Sequence, residues 1–227
     1  MKSSFSAWSE GLPLYLPLLI IGLVLFILGQ TLTASAPNTL LVLRLMRIAG
    51  IVVFLAGLCT LGFFRDPKRR VTAAPNELVA PADGVVVGIE DLDESPHYDG
   101  PCKRISIFLS IFDVHVNRAP YDCTVRDVRY APGKFLDARK PETTQVNEST
   151  AIRMDTQHGS LTVRQISGAV ARRIVCKCEQ GKKLAKGEKF GMIKFGSRTE
   201  LYLPRETAIY VKMKETVRAG TTVVARF

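Results

Sequence analysis

The chain has 227 residues, 47% of them hydrophobic, and carries 31 Lys and Arg against 21 Asp and Glu for a formal net charge of +10. This length suits one membrane segment plus a single domain of about 160 residues, large enough to bury its own core. The basic balance comes without a helix-turn-helix pattern, zinc finger or aromatic-and-basic RNA-binding signature, so nucleic acid is a poor reading and an anionic lipid surface a better one.

The N-terminal part holds two apolar stretches, and its only charges up to Phe64 are Lys2, Glu10, Arg44 and Arg47. Leu14 to Leu28 reads LYLPLLIIGLVLFIL and Ile48 to Phe64 reads IAGIVVFLAGLCTLGFF, with Leu40 to Leu43 able to extend the second. Each stretch is near the lower limit for a spanning helix, and together they predict an α-helical membrane hairpin over residues 1–66. The linker Thr31 to Asn38 lacks Lys and Arg, whereas Arg65, Lys68, Arg69 and Arg70 follow the second stretch. By the positive-inside rule the following domain then lies on the cytoplasmic face of the cell membrane. A hairpin that only dips into the bilayer is an alternative, because Arg44 and Arg47 fall on the outer side. Cleavage after the signal-like Ala34-Ser35-Ala36 is another, opposed by a nearly uncharged start and by the second apolar stretch.

Residues 67–227 read as short strands and turns. β-like runs cover Leu78 to Ile89, Arg104 to Ile111, Thr124 to Tyr130, Ala151 to Asp155, Ser160 to Ile166 and Ala169 to Cys176. Lys189 to Phe195, Glu200 to Leu203, Ala208 to Met213 and Thr222 to Ala225 follow. The expected fold is mainly β with little helix. Ala131 to Thr150 is the one long irregular stretch, suited to covering a site or touching lipid. Cys59, Cys102, Cys123, Cys176 and Cys178 show no repeated metal-ligand spacing. Cys176 and Cys178 share a strand face, where they either chelate, oxidise or simply pack, and a reducing cytoplasm agrees with the expected topology. Arg172 to Lys189 is rich in Lys and Arg and reads as a lipid-facing or a merely solvated surface.

Three residues stand out chemically. Gly196-Ser197 is a step at which a serine hydroxyl can attack the preceding, least hindered carbonyl, although Gly-Ser is also an ordinary turn pair. Asp83 lies in Pro81-Ala82-Asp83-Gly84, and His115 lies in the run Phe112 to Pro120, FDVHVNRAP. An acid, a base and a nucleophile are the three parts of an activated hydroxyl. Asp113 is a rival to Asp83 as the carboxylate.

These segments, with Phe63-Phe64-Arg65-Asp66-Pro67, Pro132-Gly133-Lys134-Phe135, Asn147-Glu148 and Phe195-Gly196-Ser197, closely resemble the short, archaeal-type phosphatidylserine decarboxylase proenzymes, in that family's order. The resemblance implies a barrel-sandwich-like catalytic domain of the lipoyl or biotinyl type. It also implies that Ser197 Oγ attacks Gly196 to form an ester, that β-elimination releases the upstream chain, and that the resulting dehydroalanine hydrolyses to a pyruvoyl group and ammonia. The products are a β chain, 1–196, and an α chain, 197–227, which form a heterodimer, with higher oligomers left open. The pyruvoyl carbonyl, the covalent cofactor, condenses with phosphatidylserine as a Schiff base, releases CO2 and yields phosphatidylethanolamine, with no metal required. Asp83 and His115 orient and deprotonate Ser197, and His115 later protonates the substrate carbon. The chain departs from longer members in having Arg118 in place of a second histidine, Phe195 before the Gly-Ser, Arg198 after it, and no arginine after Glu148. The competing readings are a barrel-sandwich binding or adaptor module, which lacks a Met-Lys-Met signature here, an uncleaved membrane scaffold, and a pyruvoyl enzyme for a soluble amino acid.

Overall fold

A computed structural model describes residues 5–32, 40–169, 173–194 and 197–227. The Ala34-Ser35-Ala36 site, most of the linker, Arg172, Phe195 and Gly196 lie outside the described residues. The described chain divides into two compact units, the smaller running from Ser6 to Asp66 and the larger from Pro67 to Phe227 together with Phe5.

The smaller unit is a helical hairpin of α1, Ala7–Thr31, and α2, Leu40–Phe63. Both helices are long and apolar enough to cross a membrane. α1 starts seven residues before the apolar run Leu14 to Leu28, because Trp8, Gly11 and Leu12 extend it and Pro13 does not stop it. Tyr15, Gly22 and Gly29 are buried at seven-residue intervals on α1, as are Leu43, Gly50 and Gly57 on α2. Small residues at this spacing let two backbones approach closely where apolar side chains gain nothing from leaving lipid. A Cβ on Gly22 would stand 2.5 Å from the Phe54 nitrogen, and one on Gly50 2.6 Å from that of Phe26. Arg47, awkward for a spanning helix, donates to Gln30 Oε1 at 2.9 Å.

The larger unit is mainly β. Its strands are β1 Glu77–Val79, β2 Gly84–Leu92, β3 Cys102–Leu109, β4 Val116–Arg118, β5 Cys123–Ala131, β6 Ser149–Thr156 and β7 Gly159–Ser167. β8 Arg173–Cys176, β9 Lys183–Leu184, β10 Lys189–Lys194, β11 Ser197–Pro204, β12 Ala208–Ile209, β13 Thr216–Val217 and β14 Val223–Arg226 follow. A curled, half-barrel sheet runs β13-β2-β3-β11-β7-β6-β5-β9, and two three-stranded sheets, β4-β10-β8 and β1-β14-β12, complete the barrel-sandwich-like unit. Ile105, Ile107, Leu109, Ile152, Leu161, Val163, Leu201 and Leu203 face a core closed by Leu78, Phe190 and Val224.

The expected strand from Leu78 to Ile89 is two strands. Pro81 has no N–H to give to a ladder, and Gly84 adopts φ +147° to start β2 against β3. The expected Glu200 to Leu203 run is part of the longer β11, whose polar first half hides its strand character.

A Cβ at Gly84 would meet the Phe108 carbonyl oxygen in a backbone conformation that L side chains rarely adopt. Gly84→Ala should therefore cost roughly 1–3 kcal/mol, read as a lower urea midpoint in the detergent-solubilised protein.

Candidate functional site

Ser197 opens β11, the central strand of the large sheet, paired with Leu109 of β3 on one side and Ser167 of β7 on the other. Strand alternation puts Ser197 and Thr199 on the same face as Leu201 and Leu203, which pack in the core. At this end the core turns polar, because Gln165 lies opposite Thr199 and Ser167 opposite Ser197. Ser197 is fully buried, and among the described residues its Oγ has no hydrogen-bond partner. Such an orphan costs about 1–3 kcal/mol, so a buried hydroxyl of this kind calls for an explanation.

His115, also fully buried, immediately precedes β4. Its Nδ1 lies 2.9 Å from the Asp113 carbonyl oxygen. A carbonyl only accepts, so Nδ1 carries the hydrogen, and in the neutral ring Nε2 is left with the lone pair of a base. Two links tie the His115 segment to β10 and β11, the strands before and after the Gly196-Ser197 step. The Ile193 N–H donates to the His115 carbonyl at 3.2 Å, four residues before Ser197. Asn117, which shares strand parity with His115, donates through Nδ2 to Thr199 Oγ1 at 3.1 Å and accepts at Oδ1 from Gln165 at 2.8 Å.

Asp83 has partners of its own. Its Oδ1 accepts the Ala219 N–H at 2.8 Å and its Oδ2 the Arg69 guanidinium at 2.7 Å. The turn that carries it is tied to β4, since Pro81 accepts at its carbonyl from the Arg118 N–H at 3.0 Å and from Asn117 Nδ2 at 3.4 Å. Burial raises the Asp83 carboxyl above its ordinary 3.8, outweighing the Ala219 and Arg69 contacts that lower it. The Asp113 carboxylate accepts from the Ser110 N–H and Oγ, both at 2.8 Å, and so shapes its own turn while its carbonyl holds the histidine. The expected Gly196-Ser197 cleavage step includes Gly196 and lies outside the described residues.

Asn117, Thr199, Gln165 and Ser167 were not among the residues singled out from the sequence. Period-two parity with His115 and Ser197 is the signal that points to the first two. Arg198 faces away from Ser197, donating to Ser106 Oγ at 2.7 Å. Arg118 holds the carbonyls of Gly187 and Pro67 at 3.0 and 3.1 Å and so braces β4. Cys176 and Cys178 share a hydrogen bond that lowers the first thiol and raises the second, and among the described residues no His, Cys, Asp and Glu group is arranged for a metal. In the basic segment, Lys186 Nζ donates to the Ala74 and Pro75 carbonyls and Lys182 Nζ to that of Lys177, so part of that charge is committed to backbone.

The sequence model of the family described as phosphatidylserine decarboxylase matches residues 57–225. Among curated relatives, a phosphatidylserine decarboxylase proenzyme of Carboxydothermus hydrogenoformans is 46% identical over 178 residues, 78% of this chain and 84% of its own. That of Magnetococcus marinus is 43% identical over 182 residues, 78% and 83% of the two chains. One from Geobacter metallireducens is 38% identical over 217 residues, covering 95% of this chain and 94% of its own, the helical part included.

The raised Asp83 value gives a signed expectation. The folded chain holds this proton more tightly than the unfolded one, so the contribution of Asp83 to stability is fully present below about pH 3.8 and is lost as pH rises through the raised value. Comparing urea midpoints against pH, Asp83→Asn in a Ser197→Ala background should flatten that part of the profile. An unchanged slope would refute the assignment.

Proposed function

Because the chain belongs to the phosphatidylserine decarboxylase family, we propose that it matures by cutting itself between Gly196 and Ser197 and then converts phosphatidylserine to phosphatidylethanolamine and CO2. The observation that carries the reading is the buried, unpartnered Ser197 Oγ at the head of the central strand. As a structural hydroxyl it is a liability, whereas as a nucleophile it is already desolvated and free to attack.

In this reading Ser197 Oγ adds to the Gly196 carbonyl while Nε2 of His115 takes its proton, with the ring held in the required tautomer by the Asp113 carbonyl. Asp83 supports them as a positioning group, fixing the Pro81 turn against β4 through Arg69 and Ala219. The site fits a pyruvoyl group, since Ser197 is its precursor and polar Thr199, Gln165 and Ser167 surround that end of the core. When present, that group supplies the conjugated carbonyl that acts as electron sink for decarboxylation. His115 is then the nearby group able to return a proton to the substrate carbon.

The pairing pattern supports a lasting two-chain product. Every strand after residue 196 bonds to strands before it or to one another: β11 to β3 and β7, β13 to β2, and β14 to β1. Cutting would remove one covalent link and leave these ladders in place. The helical hairpin and the basic residues from Arg65 to Arg70 support a membrane location with the catalytic unit on the cytoplasmic side.

The Ser197→Ala variant should remain one full-length chain and release no CO2 from phosphatidylserine vesicles. Measured against the uncut precursor it should be as stable or more so, by up to about 1–3 kcal/mol, because it removes an unpaired buried hydroxyl. Normal CO2 release would contradict the reading. His115→Ala should likewise stay uncut, and normal cutting of that variant would remove His115 from the base role.

A further inference from the structure

Both strands that flank Ser197 meet exposed apolar segments at the same end of the sheet, β3 by leading into one and β7 by holding another at Ser167. β3 ends at Leu109, the partner of Ser197, and the next turn exposes Ile111 at 51% and Phe112 at 80%. The Asp113 N–H donates to the Ser110 carbonyl at 3.0 Å and its carboxylate closes back on Ser110, so this polar lock fixes the two apolar side chains on the outside of the turn. On the other side, Asn147 clamps the 131–148 segment to Ser167. Its Nδ2 donates to the Ser167 and Leu136 carbonyls, both at 2.9 Å, and its Oδ1 accepts the Leu136 N–H at 3.0 Å. That segment exposes Phe135, Leu136 and Val146 at 39, 42 and 45%.

We propose that Ile111, Phe112, Phe135, Leu136 and Val146 form a membrane-docking rim that seats the Ser197 end of the sheet on the bilayer. The proposal rests on the reading that Ser197 acts on a membrane phospholipid. Large apolar side chains held outward on both sides of one site mark an interaction surface, and single scattered ones would not. A bilayer is the fitting partner for three reasons. The substrate in that reading never leaves it. The apolar positions sit on two segments whose geometry is set by buried polar clamps, as suits side chains that must stay rigid while entering an interface. The 131–148 segment balances Lys134, Arg139 and Lys140 against Asp137, Glu142 and Glu148, so no net charge of its own keeps its apolar side chains from an interface. Aromatic and long aliphatic side chains at headgroup level then bring the reacting carbonyl to the depth of the lipid amine and carboxylate.

The experiment uses the full chain with Trp8, its only tryptophan, changed to Phe, and single tryptophans introduced as Phe112→Trp, Phe135→Trp or Gln157→Trp. Gln157 lies in the turn at the opposite end of β7, about 27 Å from Ser167 for a nine-residue strand. Each variant is reconstituted into vesicles of phosphatidylglycerol and phosphatidylcholine, the latter brominated near the glycerol end of one acyl chain. The tryptophans at 112 and 135 should lose most of their emission, while the one at 157 keeps it. Equal emission at all three positions overturns the rim. A blue shift at 112 and 135 without bromine quenching also overturns it, in favour of contact with a second protein copy. Because phosphatidylglycerol is not a substrate, the readout is independent of self-cleavage and decarboxylation. Failure of the proposed function would appear instead as absent CO2 release when phosphatidylserine is included in the vesicles of a docked protein.

Discussion

The structure depends on β11 being held between β3 and β7. That one strand carries the candidate nucleophile at its first residue, the centre of the core at Leu201 and Leu203, and the junction between the chain before residue 196 and the strands after it. A central strand with both ladders filled cannot shift register without moving every side chain to the wrong face. Ser197 is therefore pinned where its hydroxyl must point into the core, and it tolerates an unpaired oxygen there because pairing on either side outweighs the cost.

The opposite face of the same strand explains why such a polar segment is still a strand. Arg198, Glu200 and Tyr202 alternate with the core residues and are almost wholly buried as well. Tyr202 donates to Glu200 Oε2 at 2.7 Å, and Arg198 and Arg164 approach the same carboxylate at 3.3 and 3.4 Å. Removing one member of a buried ionic cluster of this kind typically costs roughly 3–5 kcal/mol, because the remaining charges lose their partners. The cluster thus keeps β11 in place from one side while the candidate site is built on the other, and Arg198 belongs to that support.

Much of this was legible in the sequence because it rests on local chemistry. Two uncharged runs gave the hairpin, alternating runs gave most strands, and Ser197, His115 and Asp83 stood in segments resembling a known family. The parts that were not legible depend on pairing across long sequence separations. β4, β9 and β13 are two or three residues long and exist only because partners lie beside them. The Asn117–Thr199 and Gln165–Asn117 bonds join residues 82 and 48 positions apart, which no local pattern encodes. The helix ends were also hidden, since a continuous apolar run marks a helix without marking where it stops.

The most direct test of the central claim is an intact-mass spectrum of the protein purified from its membrane fraction, taken before any assay. The account predicts two chains meeting between Gly196 and Ser197, 1–196 and 197–227, with the shorter one blocked at its N-terminus by pyruvate. A single uncut chain of 25.1 kDa in folded protein would contradict it.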